Sequence, residues 1–237
     1  MPQFNPSLVI SDAYGSAGEI TWYHRDGRCY IRKRSHSSYR GTSGQLAHLD
    51  VHRRALSAWR NVEHDTKLVW NQLAEVVEPH RPPFDHLARI SGQNLFVSAY
   101  HGFYTLGNEH VPTPLPFDSF PAFSVALFDA SVEGGTLILP VEVSLGIEPI
   151  PERYRLLAKL QLTEPGKGCH PGMLRNYLAD KPCGSDDICI KIPDYVSRAG
   201  AALDEYQVHG RYILIDTITG YRSQYHKDSS LIRVNGN

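Results

Sequence analysis

Several things are scarce in this 237-residue chain, and each absence excludes something. Cysteine occurs four times, as Cys29, Cys169, Cys183 and Cys189. A chain this long can fold without staples, so the cysteines read as reduced; a bridge among the last three stays open. No apolar run reaches about 18 residues, which excludes a bilayer-spanning helix. Met1-Pro2-Gln3-Phe4-Asn5 has neither the basic cluster nor the apolar stretch of a signal peptide. The formal net charge is only −1, so overall charge does not draw the chain to nucleic acid or to an anionic membrane. The motifs of nucleophilic and nucleotide chemistry are missing: no G-x-S-x-G elbow, no Walker A loop, no G-x-G-x-x-G fingerprint. The chain reads as no enzyme, with no cofactor and no metal.

Apolar residues make up 41% of the chain, enough to bury a core. Glycine and proline together number 35, which fits many turns between short strands. The charge is unevenly spread. From Tyr23 to Arg60 there are nine Lys/Arg against Asp26 and Asp50, so the segment carries +7 and the remainder −8. Such a split describes a basic arm on a mildly acidic body. Arg25, Arg28, Arg40, Arg53 and Arg54 are the candidate phosphate contacts. An acidic neighbouring subunit, or a plain solvated face, fits the same run.

Local patterns organise the chain. Ile20–His24 and Cys29–Arg32 flank Asp26-Gly27, a pair suited to a two-residue type I′ turn, so residues 18–34 are predicted to form a hairpin. Isolated hairpins are marginal in water. This one must lean on its own body or on another chain, and Trp22, Tyr23, Tyr30, Arg32, Lys33 and Arg34 are the candidate subunit contacts. Residues 1–41 are read as hairpin and basic arm. Residues 42–111 are read as a helical segment. Thr42 and Gln45 form a capping box, and a helix follows with Leu46, Leu49, Leu56 and Trp59 as its apolar stripe. Asp65 is placed to cap a second helix carrying Val69, Trp70, Leu73, Val76 and Val77, and Ser91 a third with Leu95, Phe96, Ala99, Tyr100 and Phe103. Both indoles read as core anchors.

The run Pro112-Thr113-Pro114-Leu115-Pro116 is a stiff linker at 112–116. Beyond it, over 117–237, the period changes to two. Strands are predicted at 122–128, 136–145, 154–162, 187–192, 207–216, 221–226 and 231–234. Pro140 marks an edge strand or a break, and 166–182 reads as irregular. The expected fold is α+β: an N-terminal hairpin and short helical segment followed by an antiparallel immunoglobulin-like β-sandwich.

Two histidine-bearing clusters have the residue types of metal sites. His48 and His52 stand one helical turn apart, but Leu49 occupies the position where a metalloprotease needs Glu. Cys169, His170, Cys183 and Cys189 lack the C-x-x-C spacing of zinc knuckles. Among the tyrosines of the last fifth, Tyr195, Tyr206, Tyr212, Tyr221 and Tyr225 read either as core and edge residues or as exposed contacts for glycans or protein.

The chain also resembles a group of uncharacterised phage and prophage proteins of structural type. The similarity lies in Gly18-Glu19-Ile20-Thr21-Trp22-Tyr23, then Asp26-Gly27-Arg28-Cys29-Tyr30-Ile31-Arg32, and Thr42-x-x-Gln45-Leu46. It continues in Trp59, Trp70-Asn71 with Ala74, and Ser91-Gly92-Gln93-Asn94-Leu95-Phe96-Val97. It ends in Ile215-Asp216 followed by Thr219-Gly220-Tyr221-Arg222-Ser223. The resemblance implies a virion or assembly component, put together in the host cytoplasm with other virion subunits and further copies of itself, and it supplies no catalytic residues. Two alternatives stand beside it: a nucleic-acid-binding protein using residues 25–60, and a carbohydrate-binding β-sandwich module.

Overall fold

The structure is a computed structural model that describes residues 3–4, 15–25, 28–34, 42–77, 90–116, 119–146 and 150–235. The chain divides into two compact units, Met1–His48 and Leu49–Asn237.

The first unit holds a four-stranded antiparallel sheet. Its strands are β1 (Gln3–Phe4), β2 (Gly15–Ala17), β3 (Ile20–Arg25) and β4 (Arg28–Lys33), in the order β1-β4-β3-β2. The expected hairpin is therefore the centre of a larger sheet. Its turn residues 26–27 lie outside the described residues. Helix α1 (Ser43–Asn61) begins in this unit. Gln45 N–H donates to Thr42 Oγ1 at 3.3 Å and Thr42 N–H to Gln45 Oε1 at 2.9 Å, a reciprocal capping box that satisfies two otherwise orphaned amides. The stripe assigned to α1 is corrected: Leu46 and Leu49 are exposed, and Val51 and Ala55 form the buried face.

The second unit continues with α2 (His64–Val76) and α3 (Gly92–Thr105). Ser91 caps α3 by accepting from Asn94 N–H. The α2 cap is Glu63, and Asp65 instead stands in the first turn, where its charge suits the helix dipole. Trp70, Ala74 and Val77 of the α2 segment pack with Leu95, Phe96 and Ala99 of α3. Phe96 meets Trp70 edge-on at 5.5 Å and the tilted Trp59 ring at 5.2 Å. Val69 and Val76 lie on the solvent side of α2.

The strands that follow are β5 (Phe123–Leu127), β6 (Ala130–Glu133), β7 (Thr136–Leu145), β8 (Tyr154–Thr163), β9 (Arg175–Leu178), β10 (Cys189–Pro193), β11 (Glu205–Asp216) and β12 (His226–Asn235), with a short helix α4 (Tyr195–Ala199) before β11. They form one eight-stranded sheet in the order β10-β7-β6-β12-β11-β8-β9, with β5 also pairing β7. The sheet is mixed, not purely antiparallel, because β12 runs parallel to β6 through Val234↔Ala130 and Asn235↔Ser131. The chain is thus of the α+β class with a β-rich C-terminal part. Leu137, Leu139 and Val141 of β7, Leu156, Ala158 and Leu160 of β8, Ile190 and Ile192 of β10 and Tyr206, Val208, Tyr212 and Leu214 of β11 share one buried apolar cluster.

Three local expectations are corrected. Residues 166–182 are not wholly irregular, since they contain β9. Residues 221–225 do not form a regular strand, and His226 opens β12: Arg222 makes a single antiparallel bridge with Ile215 of β11, while Tyr221 is buried among the helices at 6.2 Å from Trp70 and Arg222 donates to the Ser98 carbonyl, so the segment ties the helices to the end of β11. Pro140 does not mark an edge, because β10 lies on one side of β7 and β5 and β6 on the other. The break falls in the neighbour. Phe128–Ala130 spans three residues opposite two, Leu139 and Pro140, where β5 hands over to β6. Phe128 N–H donates to the Pro140 carbonyl, and the amide that proline lacks would have pointed into that bulge.

The helices close on the connection after β11. A Cβ on Gly102 would stand 1.9 Å from the Gly220 carbonyl oxygen, so the backbones touch there. Leu106 covers Leu157, Ile213 and Ile215. Asp216, fully buried, accepts from Arg153 Nε at 3.0 Å and Nη2 at 2.6 Å, while its other oxygen accepts from Ile218 N–H. The compact division falls at 48/49, and within the second unit the Leu115 carbonyl of the 112–116 proline run accepts from Tyr221 at 3.5 Å.

Candidate functional site

In the first unit β3 and β4 pair from Ile20↔Lys33 to Arg25↔Arg28. Side chains alternate across a strand. Thr21, Tyr23, Tyr30 and Arg32 therefore share one face, and Ile20, Trp22, Ile31 and Lys33 the other. On the first face Tyr23 and Tyr30 stack at 5.6 Å with 21° between their planes, and the Arg32 guanidinium lies 5.6 Å from the Tyr23 centroid. This is an aromatic–cation surface set by register. Lys33 reaches Glu19 at 3.6 Å in the open, a pairing of little energetic weight. Arg34 follows β4, and its N–H donates to the Glu19 carbonyl. The six expected subunit contacts are thus divided: Tyr23, Tyr30 and Arg32 come together, and Trp22 and Lys33 face the opposite way.

The expected phosphate contacts are distributed over both units. Arg25 and Arg28 are cross-strand partners in the first unit. Arg40 lies outside the described residues. Arg53 and Arg54 belong to the second unit. Arg54 meets Glu109 at 3.0 Å and Asp50 at 3.2 Å and lies over the Tyr104 ring. The Glu109 hydrogen bond, aided by both carboxylates, holds its guanidinium above its usual pKa. Two carboxylates already occupy that cation.

No group of three or more metal-ligating side chains occurs among the described residues. His52 stacks on His101 at 5.8 Å. All four cysteines are free thiols: Cys29 and Cys183 buried, Cys169 exposed, Cys189 between. Burial pushes the Cys183 thiol up to about 11, so it is protonated and inert near neutrality.

A second locus lies in the β-rich part. A cleft of about 330 Å³ opens between Ser119–Phe123, leading into β5, and Ser223–His226, leading into β12. Phe120, Phe123, Tyr225 and His226 supply its rings, with Phe123 and His226 edge-on at 6.1 Å. Beside it, the outward face of β8, β11 and β12 is polar. Lys159, Arg211 and Lys227 are in-register partners across the three strands. Arg211 and Lys227 both lie against the Tyr225 ring, at 5.5 and 5.4 Å.

One step along the same face, His209 pairs with Ser229. The Lys167 carbonyl, which can only accept, lies 2.9 Å from His209 Nε2. That nitrogen therefore carries a hydrogen, and Nδ1 lies 3.0 Å from the Ser229 hydroxyl oxygen. Gln207 Nε2 donates to the same Ser229 oxygen at 2.8 Å. The three side chains form a cross-strand polar ladder.

The sequence points to Tyr225 among the late tyrosines but not to its neighbours here. Ser119–Phe123 and Ser223–His226 are about a hundred positions apart, and the cation row joins three strands. The nearest local signal was the Tyr225-His226-Lys227 run, and no spacing rule connects it to Lys159 or Arg211.

No family model matches the chain, and no curated protein matches it. Among solved structures, the crystal structure of AggA, the major subunit of aggregative adherence fimbriae type I from Escherichia coli, is similar at 8% identity and a TM-score of 0.26, covering 52% of this chain and 98% of that one.

Proposed function

We propose that this chain is a non-enzymatic structural protein of a phage particle, assembling in several copies and docking on neighbouring virion subunits through its N-terminal sheet. The observation that carries the docking role is how little side-chain surface is buried among the described residues of the first unit. Among its described residues Cys29 is the one buried side chain, while Trp22, Tyr23, Tyr30 and Ile31 are half-covered and Ile20 is exposed. A unit below about 50 residues lacks the surface-to-volume ratio for a self-sufficient core and gains stability from staples or association. Its cysteine is free, which leaves association. The resemblance to phage structural proteins supplies the setting, a virion built in the host cytoplasm.

The docking edge belongs to the same reading. Among the described residues β1 pairs only with Tyr30 and Cys29 of β4, so Ile31–Lys33 offers a strand edge to a neighbour, with Tyr23, Tyr30 and Arg32 as the specific contacts. The β-rich part is an immunoglobulin-like sandwich in this reading, with β10, β7, β6 and β5 as one layer and β12, β11, β8 and β9 as the other. Its support is the strand order together with Tyr206 at the start of β11, whose hydroxyl donates to the Ala201 carbonyl at 2.7 Å and accepts from Leu203 N–H at 2.9 Å. A tyrosine tied back to the preceding corner in this way is a hallmark of such sandwiches.

The test is incorporation. Deleting residues 1–41 is expected to leave a soluble, folded remainder that no longer enters particles, and Tyr23→Ala with Tyr30→Ala to reduce entry at least tenfold. A truncated chain that incorporates normally overturns the proposal.

A further inference from the structure

We propose that the cleft at Tyr225 and the adjoining cross-strand row of Arg211 and Lys227 form a binding site for an acidic saccharide, a sugar bearing carboxylate or sulfate. The first observation is the row itself. Adjacent strands lie about 4.8 Å apart, and like charges directly opposite one another destabilise a sheet. Here Arg211 and Lys227 stand directly opposite one another on β11 and β12. Among the described residues no ion pair joins Arg211 or Lys227 to a carboxylate; both rest instead on the Tyr225 ring. Elsewhere on this face a cation is neutralised in the ordinary way, with Arg233 meeting Glu205 at 3.1 Å. An Arg211–Lys227 pair kept without a carboxylate, beside a neutralised pair on the same face, is what an external anion would stabilise.

The second observation is the cleft, which is independent of the row and shares Tyr225 with it. Its volume of about 330 Å³ is at the small end of ligand sites, suited to one or two sugar rings. Phe120 and Phe123 offer apolar faces to the C–H side of a pyranose. Ser119 and His226 offer hydrogen-bonding groups for ring hydroxyls. A sugar seated there places an acidic substituent towards Tyr225, where the guanidinium and ammonium can form charge-assisted hydrogen bonds with it. A bare polyanion would use the row and leave the cleft idle, and a neutral sugar would do the reverse. The chemistry that uses both is a charged saccharide.

The experiment titrates the full-length protein by calorimetry with a heparin hexasaccharide (sulfate and carboxylate), an oligogalacturonate (carboxylate alone), maltohexaose (neutral) and a twenty-nucleotide oligo-dT. Binding to at least one acidic sugar and none to maltohexaose is expected, and the first two ligands separate sulfate from carboxylate recognition. Arg211→Gln, Lys227→Gln and Tyr225→Ala should each weaken binding at least tenfold, while Lys191→Gln, on the exposed side of β10, should not. Because Arg211→Gln relieves repulsion within the row, its melting temperature without ligand should equal or exceed that of the parent. No binding to either acidic sugar at 50 mM salt overturns the proposal. So does equal affinity for oligo-dT, and so does an Arg211→Gln variant that melts earlier or binds unchanged.

Discussion

Two tyrosines on β11 occupy equally buried positions and have opposite hydrogen-bonding fates. The Tyr206 hydroxyl has the Ala201 carbonyl and Leu203 N–H as partners. The Tyr212 hydroxyl is buried with no hydrogen-bond partner among the described residues, its ring laid over Gly210, where a Cβ would stand 2.3 Å from the hydroxyl oxygen. Burial pushes both phenols up, so both are neutral donors at any pH the protein meets. Removing a satisfied buried hydroxyl forfeits about 1 kcal/mol and strands its partners. Removing an unsatisfied one relieves a desolvation penalty of about 1–3 kcal/mol. Tyr206→Phe should therefore lower the unfolding free energy by about 1 kcal/mol or more, and Tyr212→Phe should leave it unchanged or raise it. Urea denaturation of the two variants reads the contrast, and equal losses would refute it. Residue identity alone distinguished neither, because the difference arises from which carbonyls the corner before β11 brings within reach.

Among the elements, α3 is the one whose placement depends most on a single absent atom. Gly102 lets its backbone rest on Gly220, and Gly220 in turn has a positive φ of 73°, a region that other residues enter at a cost. Any side chain at 102 would push α3 from the turn that carries Tyr221. Since Tyr221 packs against Trp70 and Arg222 reaches Ser98, the displacement would loosen helices and sheet together. Gly102→Ala should cost about 3 kcal/mol, as overpacking of a fixed core does, with the loss visible both in thermal unfolding and in the near-ultraviolet signal of Trp70. The cost of Gly107→Ala, at a turn where a Cβ meets nothing within 4 Å, should come from its φ of 81° alone. The sequence disclosed the parts of this architecture that are local. Thr42 with Gln45 and Ser91 before Asn94 announced helix starts, because a cap needs only three or four neighbouring residues. The alternation along Thr136–Leu145 and Tyr154–Leu162 announced long strands. It concealed β6 and β9, four residues each, whose strand character comes from partners elsewhere in the chain. Pro140 was legible as an interruption, but the bulge that absorbs it belongs to Phe128–Ala130, a property of pairing that no single segment carries.

At the scale of the molecule, the two units should differ in how they hold themselves together. The second has a continuous apolar core from β5 to β12 and a helical cluster around Trp70. The first has Cys29 as its one buried side chain among the described residues, and surface pairs such as Lys33 with Glu19 add little. Local opening free energy follows buried apolar contact, so elements with little of it exchange their amides through small openings well before global unfolding. In a dilute solution of protomers the amides of β3 and β4 should therefore exchange orders of magnitude faster than those of β8 and β11, as read by hydrogen–deuterium exchange with mass spectrometry. In the assembled state, protection of β3 and β4 should rise towards that of the body, because a neighbour supplies the surface that the unit cannot. The Tyr23→Ala, Tyr30→Ala variant separates this from simple crowding. It removes the stacked face while keeping the strands, so it should show the fast protomer rates in both states. If β3 and β4 are already as protected as β11 in isolated protomers, the sheet is self-sufficient, and its divided aromatic faces need no partner to explain them.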